Sequence, residues 1–254
     1  MTAGLMALLG VAIAGFQWQR FQALQSLASA TPDPEQLRLQ EQQDRLRLSL
    51  LRRMPSFGYD NMIANWTFLN FLQYFGNLDA RLEVGYTVSP EFFEVIVDKD
   101  PFFVAPYIFL SASTSMFAGQ PDRAVEMMER GLAPMTPTLP PGGYRVWRYL
   151  GIDQLLFLGD GEAARQSFEM AADWADVSDE PEAASVAQAS RQTAAFLAEN
   201  SASKAAQINA WLQVINLAVD DQVRRIAIER IQALGGEILD ISEGQVIVRY
   251  RDDE

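Results

Sequence analysis

The sequence predicts an all-α protein built as an α-solenoid, with an N-terminal hydrophobic helix and a short C-terminal β-hairpin. Three observations lead to this fold class. An aromatic-x-x-Leu motif recurs at residues 66, 107 and 147, at spacings of 41 and 40 residues, and such self-similarity is typical of helical repeats. The first charged side chain is Arg20. Two runs rich in β-branched residues flank Ser242-Glu243-Gly244, a pattern typical of a hairpin.

Residues 1–20 are expected to form a transmembrane anchor or a signal segment. The uncharged run 3–18 is slightly shorter than the roughly 20 residues that cross a bilayer as a helix. Arginines follow this run and none precedes it, which favours a cytoplasmic body if the segment is retained. Two alternatives stay open. Cleavage near Ala30 would release a periplasmic or lumenal protein, and the segment could instead be a buried helix of a soluble protein.

Residues 21–58 are expected to form a linker and a charged helix. Thr31-Pro32-Asp33-Pro34 cannot continue a helix. Residues 35–53 are rich in Gln, Arg, Glu and Leu, which favour a helix. The arginines of this helix either contact lipid headgroups beside the anchor or form a solvated face that balances nearby acidic residues. They are Arg45, Arg47, Arg52 and Arg53.

Residues 59–234 are expected to form the helical-repeat domain. The recurring motifs are Trp66-x-x-Leu69-Asn70, Tyr107-x-x-Leu110-Ser111 and Trp147-x-x-Leu150-Gly151. Seventeen residues after Tyr107 and after Trp147 a second pattern begins, Ala124-x3-Met128-x2-Gly131 and Ala164-x3-Phe168-x2-Ala171. Turn sequences beginning at Gly119 and Gly159 separate the two patterns, so each unit is expected to be a helical hairpin.

These motifs resemble the tetratricopeptide repeat, and about three units are recognisable over residues 59–176. The resemblance implies a right-handed solenoid of helical hairpins whose first helices line a concave groove. Three departures lengthen the repeat from about 34 residues to about 40. They are one extra residue in each inter-helix turn, a long excursion over residues 76–89 before a short helix, and a long, proline-rich connection over residues 134–143.

The stretch NMIANWTFLNFLQYFG, with DPFFVAPYIFLSAS after it, is similar to membrane-anchored tetratricopeptide-like proteins of unassigned function from cyanobacteria and other bacteria. This similarity implies a helical scaffold at a membrane and carries over no catalytic residues. Helices expected over residues 181–200, 203–217 and 221–234 extend or cap the solenoid. The hairpin and acidic tail of residues 235–254 pack on these helices or pair with a partner's strand.

The composition restricts the chemistry. The chain has no Cys and no His, which excludes thiolate nucleophiles, imidazole bases and Cys-ligated metals. Its net charge of -13 argues against nucleic-acid binding. We therefore expect a protein that is not an enzyme, with no catalytic residues, cofactor, metal or small-molecule substrate. One alternative is a carboxylate-dependent hydrolase. Its candidate clusters are Asp98 with Asp100, Asp160 with Glu162, and Asp176 with Asp179 and Glu180.

The candidate partner-binding residues are polar side chains on the first helices of the repeats. They are Asn70, Gln73, Ser111, Thr114, Arg148 and Gln154. Such groups can hold the backbone or a carboxylate of an extended peptide. The sequence thus predicts a membrane-anchored scaffold, adaptor or assembly factor for a membrane complex such as a photosynthetic one. This scaffold is expected to bind a protein or peptide in the groove and to contact the membrane through the N-terminal helix. The alternative is a soluble adaptor in the periplasm or thylakoid lumen.

Overall fold

The fold is predominantly helical, as the sequence predicts. A computed structural model describes residues 17–18, 33–199, 203–218, 221–242 and 245–249. The helices are α1 Pro34–Arg53, α2 Asp60–Gly76, α3 Leu78–Val84, α4 Ser89–Lys99, α5 Tyr107–Leu110, α6 Pro121–Leu132, α7 Tyr144–Asp153, α8 Gly161–Asp176, α9 Ala183–Glu199, α10 Lys204–Leu217 and α11 Asp221–Ala233. A first π segment, Ser111–Phe117, continues α5, and a second, Gln154–Leu158, continues α7.

The N-terminal anchor predicted for residues 1–20 lies outside the described residues, apart from Gln17 and Trp18. Within the described ranges, no helix combines the length and apolar character that crossing a bilayer requires. The first helix of the body is α1, and the Asp33 side chain caps it by accepting a hydrogen bond from the Glu35 backbone N–H at 3.1 Å. Pro34 occupies its first turn, where a missing backbone N–H costs nothing.

Helix α4 packs against α1, α2 and α6. Its acidic side chains Glu91, Glu94 and Asp98, here called the acidic stripe, share one face because they are three and four residues apart. Arg45 and Arg52 of α1 pair with this stripe from one side, at 3.1 Å between Arg45 Nη1 and Glu91 Oε1. Arg123 and Arg130 of α6 pair with it from the other side.

The order of these ion pairs fixes the direction of the helices. Arg45 and Arg123 both reach Glu91, whereas the arginines seven residues later in each helix both reach Asp98. Helices α1, α4 and α6 therefore run parallel. Two members of the α1 arginine cluster thus balance acidic residues, as the second interpretation of the sequence expects. Arg47 pairs with Asp44, and Arg53 forms no ion pair within the described residues.

The excursion over residues 76–89 contains an unpredicted helix, α3. Asn77 caps it, since its side-chain oxygen accepts a hydrogen bond from the Ala80 backbone N–H at 3.3 Å. Helix α3 buries Arg81, which pairs with Glu41 of α1 at 2.9 Å and lies 3.8 Å from the ring centroid of Tyr74. Helix α3 could not be recognised from the sequence, because Arg81, a charged residue, occupies an inward-facing position and interrupts the apolar periodicity.

The second and third repeat motifs contribute residues to the core. Tyr107, Leu110 and Leu150 are buried. So are the second-helix residues Ala124, Met128, Ala164, Phe168 and Ala171. Gly131 permits the contact of α6 with α5, because a Cβ atom there would overlap the Tyr107 hydroxyl. A small residue is thus required where the paired helices meet.

The first repeat motif does not pack in this manner. Trp66 is 64% exposed and Leu69 is 54% exposed, whereas Tyr107 and Leu110, at the equivalent positions of the second motif, are buried. Helix α2 instead buries Ala64, Thr67, Phe71 and Tyr74 toward α4. No described helix covers the opposite face of α2, so its motif residues face solvent.

The extra residue of each repeat lies within the first helix, and its assignment to the inter-helix turn was wrong. The first helices of the second and third repeats, α5 and α7, each continue as a π segment, in which one additional residue fits inside the hydrogen-bonded ring. The Ala118 N–H donates to the Ser113 carbonyl at 2.9 Å, and the Gly159 N–H donates to the Gln154 carbonyl. Each of these bonds spans five residues, as in a π-helix, instead of the four of an α-helix.

Helices α10 and α11 pack together, and α10 also contacts both π segments. Gly159 lies at this approach with a φ of +71°, a backbone conformation that favours glycine, and a Cβ there would displace the Gln207 side chain of α10. Strands β1 Glu237–Ser242 and β2 Gln245–Arg249 pair antiparallel, with an irregularity between Ile238 and Asp240. They contact α11 and α10 respectively.

Candidate partner-binding cavity

A cavity of about 450 Å³ lies where α5, α7 and α10 meet. The two π segments contribute to its wall, so the widened parts of two successive first helices face the same space. The lining is mainly apolar and includes Ile108, Met116, Tyr149, Ile152, Leu156 and Phe157. Ile108 is 51% exposed, so the cavity has apolar surface at its mouth. A largely apolar concavity with few polar groups is the usual form of a binding site.

The polar part of this cavity is a carboxylate held by two serine hydroxyls. The hydroxyl of Ser111 donates to Asp153 Oδ1 at 2.7 Å, and that of Ser115 donates to Oδ2 at 2.5 Å. The two serines are four residues apart and therefore lie on one side of their helix. Asp153 and Ser111 both line the cavity. We call these three residues the Ser–Asp–Ser cluster.

Asp153 is fully buried, and within the described part of the chain no Lys or Arg forms an ion pair with it. Burial raises the pKa of Asp153 from 3.8 to about 6, and the two serine hydrogen bonds oppose this rise. The group is therefore ionised at neutral pH without a positive partner, which is an unfavourable state for a buried charge. A cation placed in the cavity would remove much of that cost.

Two of the predicted residues lie near this cavity but are buried. Thr114 has no exposed surface, and its hydroxyl has no hydrogen-bond partner. Gln154 accepts a hydrogen bond from the Ser167 hydroxyl at 2.7 Å, and it faces a different cavity, beside Trp147 and Trp174. Both side chains are therefore enclosed within the protein, and of the two only Gln154 has a side-chain hydrogen-bond partner. Ser111 is the one predicted residue that lines the cavity of the Ser–Asp–Ser cluster.

The predicted residues of the first repeat, Asn70 and Gln73, line a separate cleft of about 250 Å³ between α1, α2 and α3. The Asn70 amide donates to the Trp66 carbonyl at 2.7 Å. Arg148 donates to the Ser190 hydroxyl of α9 at 3.2 Å. The six predicted residues are thus distributed over several places and do not form one continuous groove.

Sequence reasoning missed Asp153 and Ser115. Asp153 lies in the run Leu150-Gly151-Ile152-Asp153-Gln154-Leu155, where an acidic residue interrupts an apolar stretch in mid-helix. Ser115 follows the predicted Ser111 by one helical turn. A carboxylate at an interior helical position, with hydroxyls at i and i+4 in the preceding repeat, is a signal that could have found the cluster.

The carboxylate clusters considered for a hydrolase have structural roles in turns and at helix ends. Asp98 pairs with Arg52 and Arg130, and Asp160 caps α8 by accepting from the Ala163 N–H at 2.9 Å. Glu180 accepts a hydrogen bond from the Tyr144 hydroxyl at 2.8 Å. Asp153 is the sole acidic residue among those that line its cavity, so the second carboxyl of a glycosidase is not provided there.

Comparisons of the chain with protein-family models, with curated proteins and with solved structures find no match. Within the described residues, no group of three or more acidic side chains is placed as metal ligands would be.

Proposed function

We propose that the protein is a membrane-anchored, tetratricopeptide-like scaffold that binds a segment of a partner protein in the cavity of the Ser–Asp–Ser cluster. The observation that carries this proposal is the buried Asp153 carboxylate, which has no positive partner among the described residues and lines a mainly apolar cavity. A buried ionisable group with a perturbed pKa, placed at a concavity, is a candidate functional site.

The chemistry of the cavity specifies the partner. A segment that inserts an apolar side chain next to a lysine or arginine would bury the apolar group against Ile108, Ile152 and Leu156. Its basic group would approach Asp153. The Asp153 carboxylate is already desolvated in the free protein. Its desolvation therefore does not reduce the free energy of binding when the ion pair forms. The partner is thus expected to be a basic, amphipathic protein segment.

Two packing features support the solenoid part of the proposal. Helices α1, α4 and α6 run parallel, as the second helices of successive hairpins do in a stacked array. The first helices α5 and α7 also contact each other. In this arrangement α10, α11 and the C-terminal β-hairpin cap the last units.

Binding is tested by placing a photoreactive phenylalanine analogue at Ile108, which lines the cavity, and at Leu139 as an exposed control outside it. In native membranes the Ile108 probe is expected to give one discrete adduct. Asp153→Asn is expected to abolish that adduct, whereas Gln73→Ala in the separate cleft leaves it unchanged. An adduct of equal yield in the Asp153→Asn protein, with its thermal unfolding intact, would contradict the proposal.

The membrane location is tested separately. Protease accessibility of the body in sealed vesicles, with the intact mass of the recovered chain, is expected to show a full-length protein cleaved only from the cytoplasmic face. A chain that begins near residue 31 and is protected inside the compartment would favour the alternative, a periplasmic or lumenal adaptor.

A further inference from the structure

The outward face of α1 carries an exposed apolar stripe. Leu39, Leu46, Leu50 and Met54 are all more than half exposed, and their spacings of seven, four and four residues place them on one side of the helix. Leu48, which is buried in the core, lies on the other side. The stripe is therefore additional to the face with which α1 packs on the protein.

The exposed side of α2 is also apolar. Met62, Trp66 and Leu69 are each more than half exposed, and they are spaced by four and three residues. Asp60 is the only charged residue among the 17 of α2. A solvent-facing helix normally carries charged residues on its outer face, so a long uncharged face indicates an environment other than bulk water.

The loop between these helices presents two further aromatic side chains. Phe57 is 85% exposed, and Tyr59 is 62% exposed. The backbone φ of Phe57 is +50°, in the left-handed region that a bulky side chain rarely adopts. Strained residues of this kind occur more often at functional positions. The two stripes end at this loop, and we call the whole surface the α1–α2 face.

Positive charge borders the α1 stripe. Arg53 lies three residues after Leu50 and Arg47 lies three before it, so both are next to the stripe on the helix surface. Arg53 has no ion pair among the described residues, and Arg47 pairs only with Asp44 of its own helix. Arg45 and Arg52, in contrast, are directed to the acidic stripe of α4.

We propose that the α1–α2 face lies on the surface of a lipid bilayer, with Phe57, Tyr59 and Trp66 at the headgroup level. Exposed aromatic residues, exposed apolar stripes on two successive helices and bordering arginines are the features of an interfacial contact. The inference rests on the membrane location in the proposed function and is independent of the cavity. Residues 21–32, between the predicted anchor and the body, can span at most about 43 Å when fully extended, which keeps α1 close to the same bilayer.

The absence of cysteine from the chain makes a site-specific test possible. Single cysteines replace Met62, Phe57 or, as the control, Glu126, whose side chain is 72% exposed on α6. Each is labelled with an environment-sensitive fluorophore. The full chain is reconstituted into phosphatidylcholine vesicles containing phosphatidylglycerol. We expect a blue shift and quenching by a spin-labelled lipid at Met62→Cys and Phe57→Cys, with neither at Glu126→Cys. Replacing Trp66 and Leu69 with Gln should reduce the quenching several-fold at unchanged helix content.

The other results all overturn the inference and are distinguishable. A water-like spectrum at position 62 in a chain that stays with the vesicles refutes the interfacial contact but retains the anchor. A chain that does not remain with the vesicles refutes the membrane location as well. If the fluorophore is blue-shifted in the absence of lipid, the α1–α2 face is covered by protein and not by a bilayer. A blue shift that persists when the protein is diluted indicates the chain's own N-terminal segment. A blue shift that is lost on dilution indicates a second copy of the chain.

Discussion

Raising the pH from about 4 to about 7 is expected to lower the free energy of unfolding through Asp153. The folded protein holds this carboxyl at a pKa of about 6, against an ordinary value of 3.8. Below the lower value both states are protonated and no difference arises. Between the two values the folded state keeps the proton and the unfolded state has lost it, so rising pH favours unfolding.

The magnitude follows from the width of that interval. About 2.2 pH units at 1.36 kcal/mol each give about 3 kcal/mol. This loss is complete above the folded pKa and is absent below the unfolded one. This pH dependence is opposite in sign to that of carboxylates whose pKa is lowered by folding, which destabilise the protein at acidic pH. The contribution of Asp153 therefore has to be measured against a matched variant.

The variant is Asp153→Asn, which preserves the shape of the side chain and does not titrate. Urea unfolding of the full chain in mild detergent, followed by tryptophan fluorescence, gives the free energy at several pH values. The difference between wild type and variant is expected to fall by about 2–3 kcal/mol between pH of about 4 and about 7. Ser115→Ala, which removes a donor to the carboxylate, should extend the fall to higher pH. A difference that stays constant across this range would refute the assignment of a buried, uncompensated charge.

The remaining predictions concern packing and ion pairs. Gly131→Ala is expected to lower the free energy of unfolding by about 1–3 kcal/mol, since its Cβ would overlap the Tyr107 ring; Gly76→Ala, with open space around it, should not destabilise. Equal melting temperatures for the two variants would contradict the close helix contact. Glu94→Gln leaves three arginines without that carboxylate and should cost about 1–3 kcal/mol, against about 0.5 kcal/mol or less for the exposed Glu126→Gln. Equal losses in denaturant unfolding would show that the acidic stripe acts only as a surface charge.

The positions of most helices could be predicted because apolar periodicity and turn residues agree. Residues 35–53 were expected to be helical, and α1 is Pro34–Arg53; residues 203–217 were expected to be helical, and α10 is Lys204–Leu217. The small residues Ala124 and Gly131 could be placed in the core because only close helix contacts demand them at that spacing.

The rest depended on three-dimensional context. One extra residue between the two patterns of a repeat is visible in the sequence, but a turn and a π segment accommodate it equally well. Only the five-residue hydrogen bonds from the Ala118 and Gly159 N–H groups distinguish them. The exposure of Trp66 depends on which helix covers α2, and the motif itself does not contain that information. The binding residues were predicted by their position on first helices, whereas Asp153 is identified by its burial and its two serine donors.

The acidic stripe of α4 also has a mechanical consequence. Tension applied at the N-terminus of the body would act along α1 and would have to slide Arg45 and Arg52 past Glu91, Glu94 and Asp98 simultaneously. Ion pairs between parallel helices that are pulled along their axes bear the force at the same time. Ion pairs that are separated from one end of a helix break one after another. Because Arg123 and Arg130 hold the same carboxylates, the load would pass directly to α6. A helical domain that is anchored through α1 would thus keep its orientation relative to the anchor when force is applied to the anchor.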